Sequence, residues 1–291
     1  MNVDRPGRRP AISLLCIEFG LVICWSSGFI GAILASETSS VFTVLLWRFV
    51  VAACILTPFV LPYVRRGHLR SVALQAAIGG LAMFGYLATG VKAIDAGVPA
   101  GTAALVGSLH PMLTAGLAGL LIGETVTRWQ WLGLVLGLTG VAVSLGGAIG
   151  AAPLWGFGLS ISSTVCIVFA TLLSKRYPAS LPLLPSLGVQ SFVSLILFAG
   201  LAAVDGGIQP EANAGFVYAV LWFVLISTLG GYGFYWAYLA RASAIRATSL
   251  IYLTPPVTAI WAWLMFGEPI GAAVIVGFAL CLLGVAIARR G

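Results

Sequence analysis

Charge is what this 291-residue chain has least of: 8% of its residues are Asp, Glu, Lys or Arg, against roughly a quarter in ordinary soluble domains. Fifteen Lys and Arg with eight Asp and Glu cannot cover the surface of a soluble protein of this length, so most of the chain is surrounded by lipid. Chemistry-bearing residues are equally scarce. Of the two histidines, His68 falls in a connection between apolar runs. No H-E-x-x-H, no G-x-S-x-G and no pair of aspartates within an apolar run occurs, which leaves a membrane-embedded hydrolase or protease without a nucleophile, metal or acid pair. No G-x-x-x-x-G-K-[ST] loop is present, so ATP is not an expected partner. The five cysteines, Cys16, Cys24, Cys54, Cys166 and Cys281, are odd in number and form no C-x-x-C or ligand-spaced set. They read as free thiols, with no metal and no cofactor implied.

What is abundant is apolar sequence, 60% of the chain. It divides into ten segments long enough to cross about 30 Å of hydrocarbon, at 12–34, 41–63, 71–91, 98–122 and 129–149, then 153–173, 185–204, 216–240, 247–266 and 270–288. The first resembles a signal peptide in its flanking Arg5, Arg8 and Arg9, but the apolar run continues too far, so a retained helix is expected. Ten crossings fix which loops share a side. With the amino terminus inside, the inner loops collect those three arginines together with Arg65, Arg66, Arg70, Arg128, Lys175, Arg176, Arg241, Arg246, Arg289 and Arg290, while the outer loops hold only Lys92. Such asymmetry is what the positive-inside rule requires, with both termini cytoplasmic. The net charge of +7 therefore orients the chain; it lies in short clusters rather than on one continuous face, and nucleic acid is not an expected partner.

An internal repeat runs through the chain without gaps at an offset of 144 residues. His110-Pro111-Met112-Leu113-Thr114-Ala115 lies over Thr254-Pro255-Pro256-Val257-Thr258-Ala259, Gly123-Glu124 over Gly267-Glu268, and Gly140-Val141-Ala142 over Gly284-Val285-Ala286. Each copy, 1–149 and 150–291, holds five crossings. An odd number forces the second copy to enter the bilayer from the opposite side. The expected architecture is an all-α integral membrane protein of ten transmembrane helices in two inverted five-helix repeats. Inverted repeats provide two near-equivalent packings around a midplane site, the arrangement of an alternating-access carrier.

This pattern resembles the drug/metabolite transporter superfamily, and within it the bacterial exporters built from two EamA-type domains. The resemblance spans nearly the whole chain and is clearest in Pro111 to Glu124, its copy Pro255 to Glu268, and Trp47-Arg48-Phe49. It implies export of small metabolites across the bacterial cytoplasmic (inner) membrane, and the aromatic-rich eighth segment makes aromatic amino-acid exporters the nearest-looking relatives. A multicharged cargo would need buried counter-charges that the segments do not offer. The expected substrate is small, neutral or zwitterionic and partly apolar, an amino acid with an aromatic or large apolar side chain. Nucleobase-like or drug-like cargo on the same fold is the alternative, with a membrane-embedded enzyme as the rival from another class.

The candidate site follows from polar and aromatic groups inside the segments. Pro111, Pro255 and Pro256 sit near segment centres, where a lost backbone bond exposes a carbonyl to a cavity or merely kinks a helix. On a continuous helix Gly107, His110 and Thr114 share a face, with Ile251, Thr254 and Thr258 as repeat mates. His110 can contact substrate, carry a coupling proton or be satisfied within the bundle. Tyr232, Tyr235 and Trp236 stack on substrate or form an interfacial belt, to which Tyr238 is assigned. Trp25, Ser26, Tyr86 and Tyr252 are further substrate-binding candidates. Arg48 anchors a carboxylate, pairs with Glu37 or snorkels, and its match to the family pattern favours a structural role; Glu18 serves proton coupling or snorkels inward. The Gly-Glu turns read as structural caps. Gly119-x-x-x-Gly123 and Gly133-x-x-x-Gly137 permit close helix contact within one chain or between two, leaving oligomeric state open, as is proton coupling.

Overall fold

A computed structural model describes residues 11–36, 40–146, 152–178, 181–204, 207–210 and 213–290, and every regular element among them is helical. The first half comprises α1 (Ala11–Ser36), α2 (Val41–Arg65), α3 (Leu69–Gly79), α4 (Tyr86–Asp95), α5 (Ala100–Gly107), α6 (His110–Ile122) and α7 (Arg128–Ser144). The second comprises α8 (Leu154–Arg176), α9 (Leu183–Val204), α10 (Ala214–Trp222), α11 (Gly233–Leu239), α12 (Ala244–Ser249), α13 (Thr254–Phe266) and α14 (Ala272–Ala288). A π-helical segment, Gly80–Gly85, joins α3 to α4; a second, Phe223–Tyr232, joins α10 to α11. Among the described residues eight stretches are long and apolar enough to cross a membrane, including Leu69–Asp95, Ala100–Ile122, Ala214–Leu239 and Ala244–Phe266. The remaining two expected segments, α7 and α14, have 17 residues each, about 25 Å at 1.5 Å per residue.

The irregularities repeat. An offset of 144 residues carries α6 onto α13 and α7 onto α14, first residue to first and last to last. Gly80–Gly85 falls on the interior of Phe223–Tyr232, and the turn at Ser108–Leu109 falls on the 3-10 segment Leu250–Leu253. Gly123 and Gly267 end their helices in the left-handed conformation at φ 73° and 71°, which a side chain would strain. The prolines need a corrected reading. Pro111 and Pro255 lie in the first turn of α6 and α13, where a missing N–H costs no intrahelical bond. The turn or 3-10 segment before each of them makes the break, and the proline starts the new helix.

Homologous helices pair antiparallel across the halves. On α7 and α14, Gly133 meets Gly284 while Gly140 meets Gly277, and a Cβ on Gly133 would stand 2.5 Å from the Gly284 carbonyl oxygen. Only hydrogen fits there, so the two backbones pack without an intervening side chain. In α2 and α9, Leu56 and Val60 meet Gly188, and Thr43 near the start of α2 donates to the Gly207 carbonyl just past α9. Each half lends its first helix to the other: α1 lies along Phe223–Tyr232, with Gly28 beside Ser227, and α8 lies along α4, where Ser163 Oγ donates to the Tyr86 carbonyl at 2.6 Å. The polarity is inside out for water. Phe19, Leu120 and Ile196 stand 69%, 83% and 68% exposed, whereas Arg48, Gln75, Gln190 and most of the core hydroxyls are buried.

Candidate functional site

A cavity of about 230 Å³ opens where the irregular segments converge. Trp25 and Phe29 of α1, Tyr86 and Ile94 of α4, and Tyr232 and Phe223 of the second π segment supply its apolar walls. Small residues widen it, notably Ala103 and Gly107 on α5 and Gly90 on α4. Among the described residues its polar lining is hydroxyl groups of α8 (Ser160, Ser163, Thr164), Ser108, Ser227 and Thr254, plus one charged group, Arg48. Both halves contribute, as a site at the repeat interface requires.

Ring geometry organises the wall. Trp25 packs on Tyr232 and Tyr235 at centroid distances of 5.1 and 5.0 Å, and on Tyr86 at 6.4 Å. Tyr232 donates its hydroxyl to the Ala82 carbonyl at 2.7 Å, inside the first π segment. Arg48 is buried between aromatic faces, 4.9 Å from the Phe223 centroid, 5.1 Å from Phe49 and 5.9 Å from Tyr232. Its Nε donates to Thr228 Oγ1 at 2.7 Å and its Nη2 to Ser227 Oγ at 3.3 Å. Glu37, the partner considered for it from sequence, lies outside the described residues.

Of the candidates named from sequence, Trp25, Arg48, Tyr86, Tyr232, Thr254 and Pro255 line the cavity. The others sit behind it. Gly107 faces the cavity but His110 does not, because the turn at Ser108–Leu109 breaks the face they would share on a continuous helix. His110 Nε2 lies 3.4 Å from Thr171 Oγ1, which gives its one proton to Ile167 O at 2.8 Å and so can only accept from Tyr235 and His110. Trp236 Nε1 donates to Gln190 Oε1 at 3.0 Å, and Gln190 donates to Gln75 at 2.7 Å. Thr258 donates to the Ser26 carbonyl at 3.2 Å, and Ser26 Oγ donates to Ile23 O at 2.9 Å, tying α13 to α1. Thr114 and Tyr252 are buried with no hydrogen-bond partner for their hydroxyls among the described residues. Tyr252 packs its ring on Gly137, and Pro111 and Pro256 are buried in their helices.

At the end of the bundle away from Ile94 and Ala100, side chains of the first half are tied to the second. Glu18, 7% exposed, accepts from Tyr238 and pairs with Arg289 past the end of α14, rather than snorkelling alone. Tyr238 is accordingly buried, not part of a surface belt. Glu124 accepts from the Ala244 N–H with both carboxylate oxygens, at 3.0 and 3.2 Å, and so caps α12. The cavity reaches instead to Ile94 and Ala100, on either side of the α4–α5 connection, where Lys92 and Asp95 pair at 4.0 Å. Sequence reasoning missed the α8 hydroxyls. Ser160, Ser163 and Thr164 are spaced by three and four residues, the rule applied to α6, and that spacing was the available signal.

The chain has clear relatives. The sequence model of a family described as the EamA-like transporter family matches it twice, at residues 12–146 and 154–290. It is 28% identical over 279 residues to a "Probable terminal-alkyne amino-acid exporter" of Streptantibioticus cattleyicolor, covering 92% of this chain and 91% of that protein. It is 25% identical over 295 residues to the "Uncharacterized inner membrane transporter YedA" of Escherichia coli K12, covering 97% and 92%. A solved crystal structure shares its fold, with a TM-score of 0.78 at 21% identity over 97% of this chain and 99% of the other.

Proposed function

Because the chain belongs to the EamA-like transporter family, and so is a multi-pass membrane transporter rather than an enzyme, we propose that it exports small neutral or zwitterionic metabolites by alternating access, namely amino acids with aromatic or large apolar side chains. All ten helical segments cross the cytoplasmic membrane in this reading, as two inverted five-helix repeats with both termini inside. The inner-membrane relative and the inward bias of the basic residues support that placement. The relative named for amino-acid export supports the cargo.

One observation carries the proposal: a cavity at the junction of the two halves reaches toward one end, while toward the other end Glu18 with Tyr238 and Arg289, and Glu124 with Ala244, tie the halves together. With the amino terminus inside, the end that the cavity reaches faces outward. The homologous pairs α7–α14 and α2–α9 pack antiparallel, so rocking one half on the other would exchange the open and closed ends. The walls suit the cargo, aromatic faces for an apolar side chain and a few hydroxyls with one cation for its polar end. The test is purified protein in liposomes with a panel of labelled amino acids. Leucine and phenylalanine should exchange across the membrane faster than glutamate or lysine. Movement of another compound class alone would overturn the cargo. Repeating the assay with an imposed pH gradient separates proton coupling from facilitated diffusion.

A further inference from the structure

Resting on the reading of the cavity as an amino-acid site, we infer that Arg48 is the anchor for the substrate carboxylate and that a single carboxylate is therefore required of the cargo. Among the described residues that line the cavity Arg48 alone is charged, and it is 1% exposed. A guanidinium has five N–H donors, of which two are used, on Ser227 and Thr228. No carboxylate pairs with it among the described residues, and its other neighbours are ring faces. A buried cation is costly unless paired, so this arrangement is complete only when an anion arrives. The planar fork suits a bidentate carboxylate. The second half carries Phe192 at the repeat-equivalent position, so the charge is not duplicated. One cation with no counter-charge among the described lining residues pairs with one carboxylate and leaves a second carboxylate uncompensated. Ser160 supplies an independent sign of a polar ligand: its Oγ is buried, lines the same cavity and has no hydrogen-bond partner among the described residues. The remaining aromatic and aliphatic wall receives the apolar body.

The competing role is structural, with Arg48 only tying α2 to the second π segment through Ser227 and Thr228. Ligand chemistry separates the two. Leucine and phenylalanine are compared with their carboxamides by calorimetric binding to the detergent-solubilised protein, in wild type, Arg48→Gln and Arg48→Lys, with thermal unfolding and gel filtration checking the fold. The wild type should prefer each acid over its amide by about 30-fold or more, the loss expected when a charge-assisted hydrogen bond is removed. Arg48→Gln should weaken acid binding by a similar factor, leave amide binding within about twofold and so erase the preference, while Arg48→Lys retains most of it. Acids and amides weakened equally in Arg48→Gln would overturn the anchor and leave amino-acid export standing. A wild type that binds phenylpyruvate or benzoate in an Arg48-dependent way, but no amino acid, would keep the anchor and overturn the cargo. A wild type that binds none of these carboxylates would overturn both.

Discussion

Trp25 touches three tyrosines, while Trp236 makes its polar contact with a glutamine. The two tryptophans should therefore fail differently. Trp25→Ala removes the largest aromatic wall of the cavity and, on the proposed function, is expected to weaken amino-acid binding by about tenfold, as removal of a stacking aromatic face typically does. Trp236→Phe keeps most of the apolar volume but leaves Gln190 Oε1 without its donor in a buried network. Its cost should be about 1–3 kcal/mol of stability, read by denaturation in detergent, with ligand affinity unchanged. A binding loss in Trp236→Phe equal to that in Trp25→Ala would put Trp236 on the cavity. His110 follows Trp236: it sits behind Tyr235 and Thr171, so His110→Ala should be read first as a packing change.

At the scale of elements, the most demanding contact is the antiparallel pair α7–α14. Neither helix reaches the length of the other spans, and neither has room for a Cβ where Gly133 and Gly284 meet. Thr127 and Gln130 start α7 with reciprocal capping bonds, which fix the residue at which the helix begins. Gly133→Val would drive two methyl groups into the Gly284 carbonyl and the Ala288 backbone. Overpacking against backbone should cost about 1–3 kcal/mol or separate the helices, seen as lowered thermal stability and protease sensitivity. Gly116→Ala, where a Cβ meets nothing within 4 Å, is the control and should be silent. The two π segments and the two interrupted spans belong to the same scale. They were not legible in the sequence, because hydropathy and helical spacing treat an apolar span as one rod. Two breaks, before Pro111 and before Pro255, separate Gly107 from His110 and bring Thr254 to the cavity.

For the whole molecule, the two Gly-Glu turns connect sequence symmetry to conformational state. Glu124 caps Ala244 at the end away from Ile94 and Ala100; its repeat mate Glu268 is exposed, and α5 begins at Ala100 without a side-chain cap. Removing a cap costs about 1 kcal/mol, or about fivefold in a two-state equilibrium. If the halves alternate as proposed, Glu124→Ala should favour the state closed on the outside. Labelling of Ala103→Cys by a membrane-impermeant thiol reagent from outside, in a cysteine-free background, should fall severalfold, and unchanged labelling would count against alternation. Thiols placed at each chain end should label from the cytoplasmic side alone. Lipid embedding, the repeat and the spacing of the helices were readable from sequence, because hydropathy and a fixed 144-residue offset are properties of the chain order itself. Which polar groups meet was not. Arg48 lies about 180 residues from Ser227 and Thr228, and Glu18 lies 271 from Arg289, so only the interlocking of the halves decided that one forms part of a cavity and the other ties the two halves together at the far end.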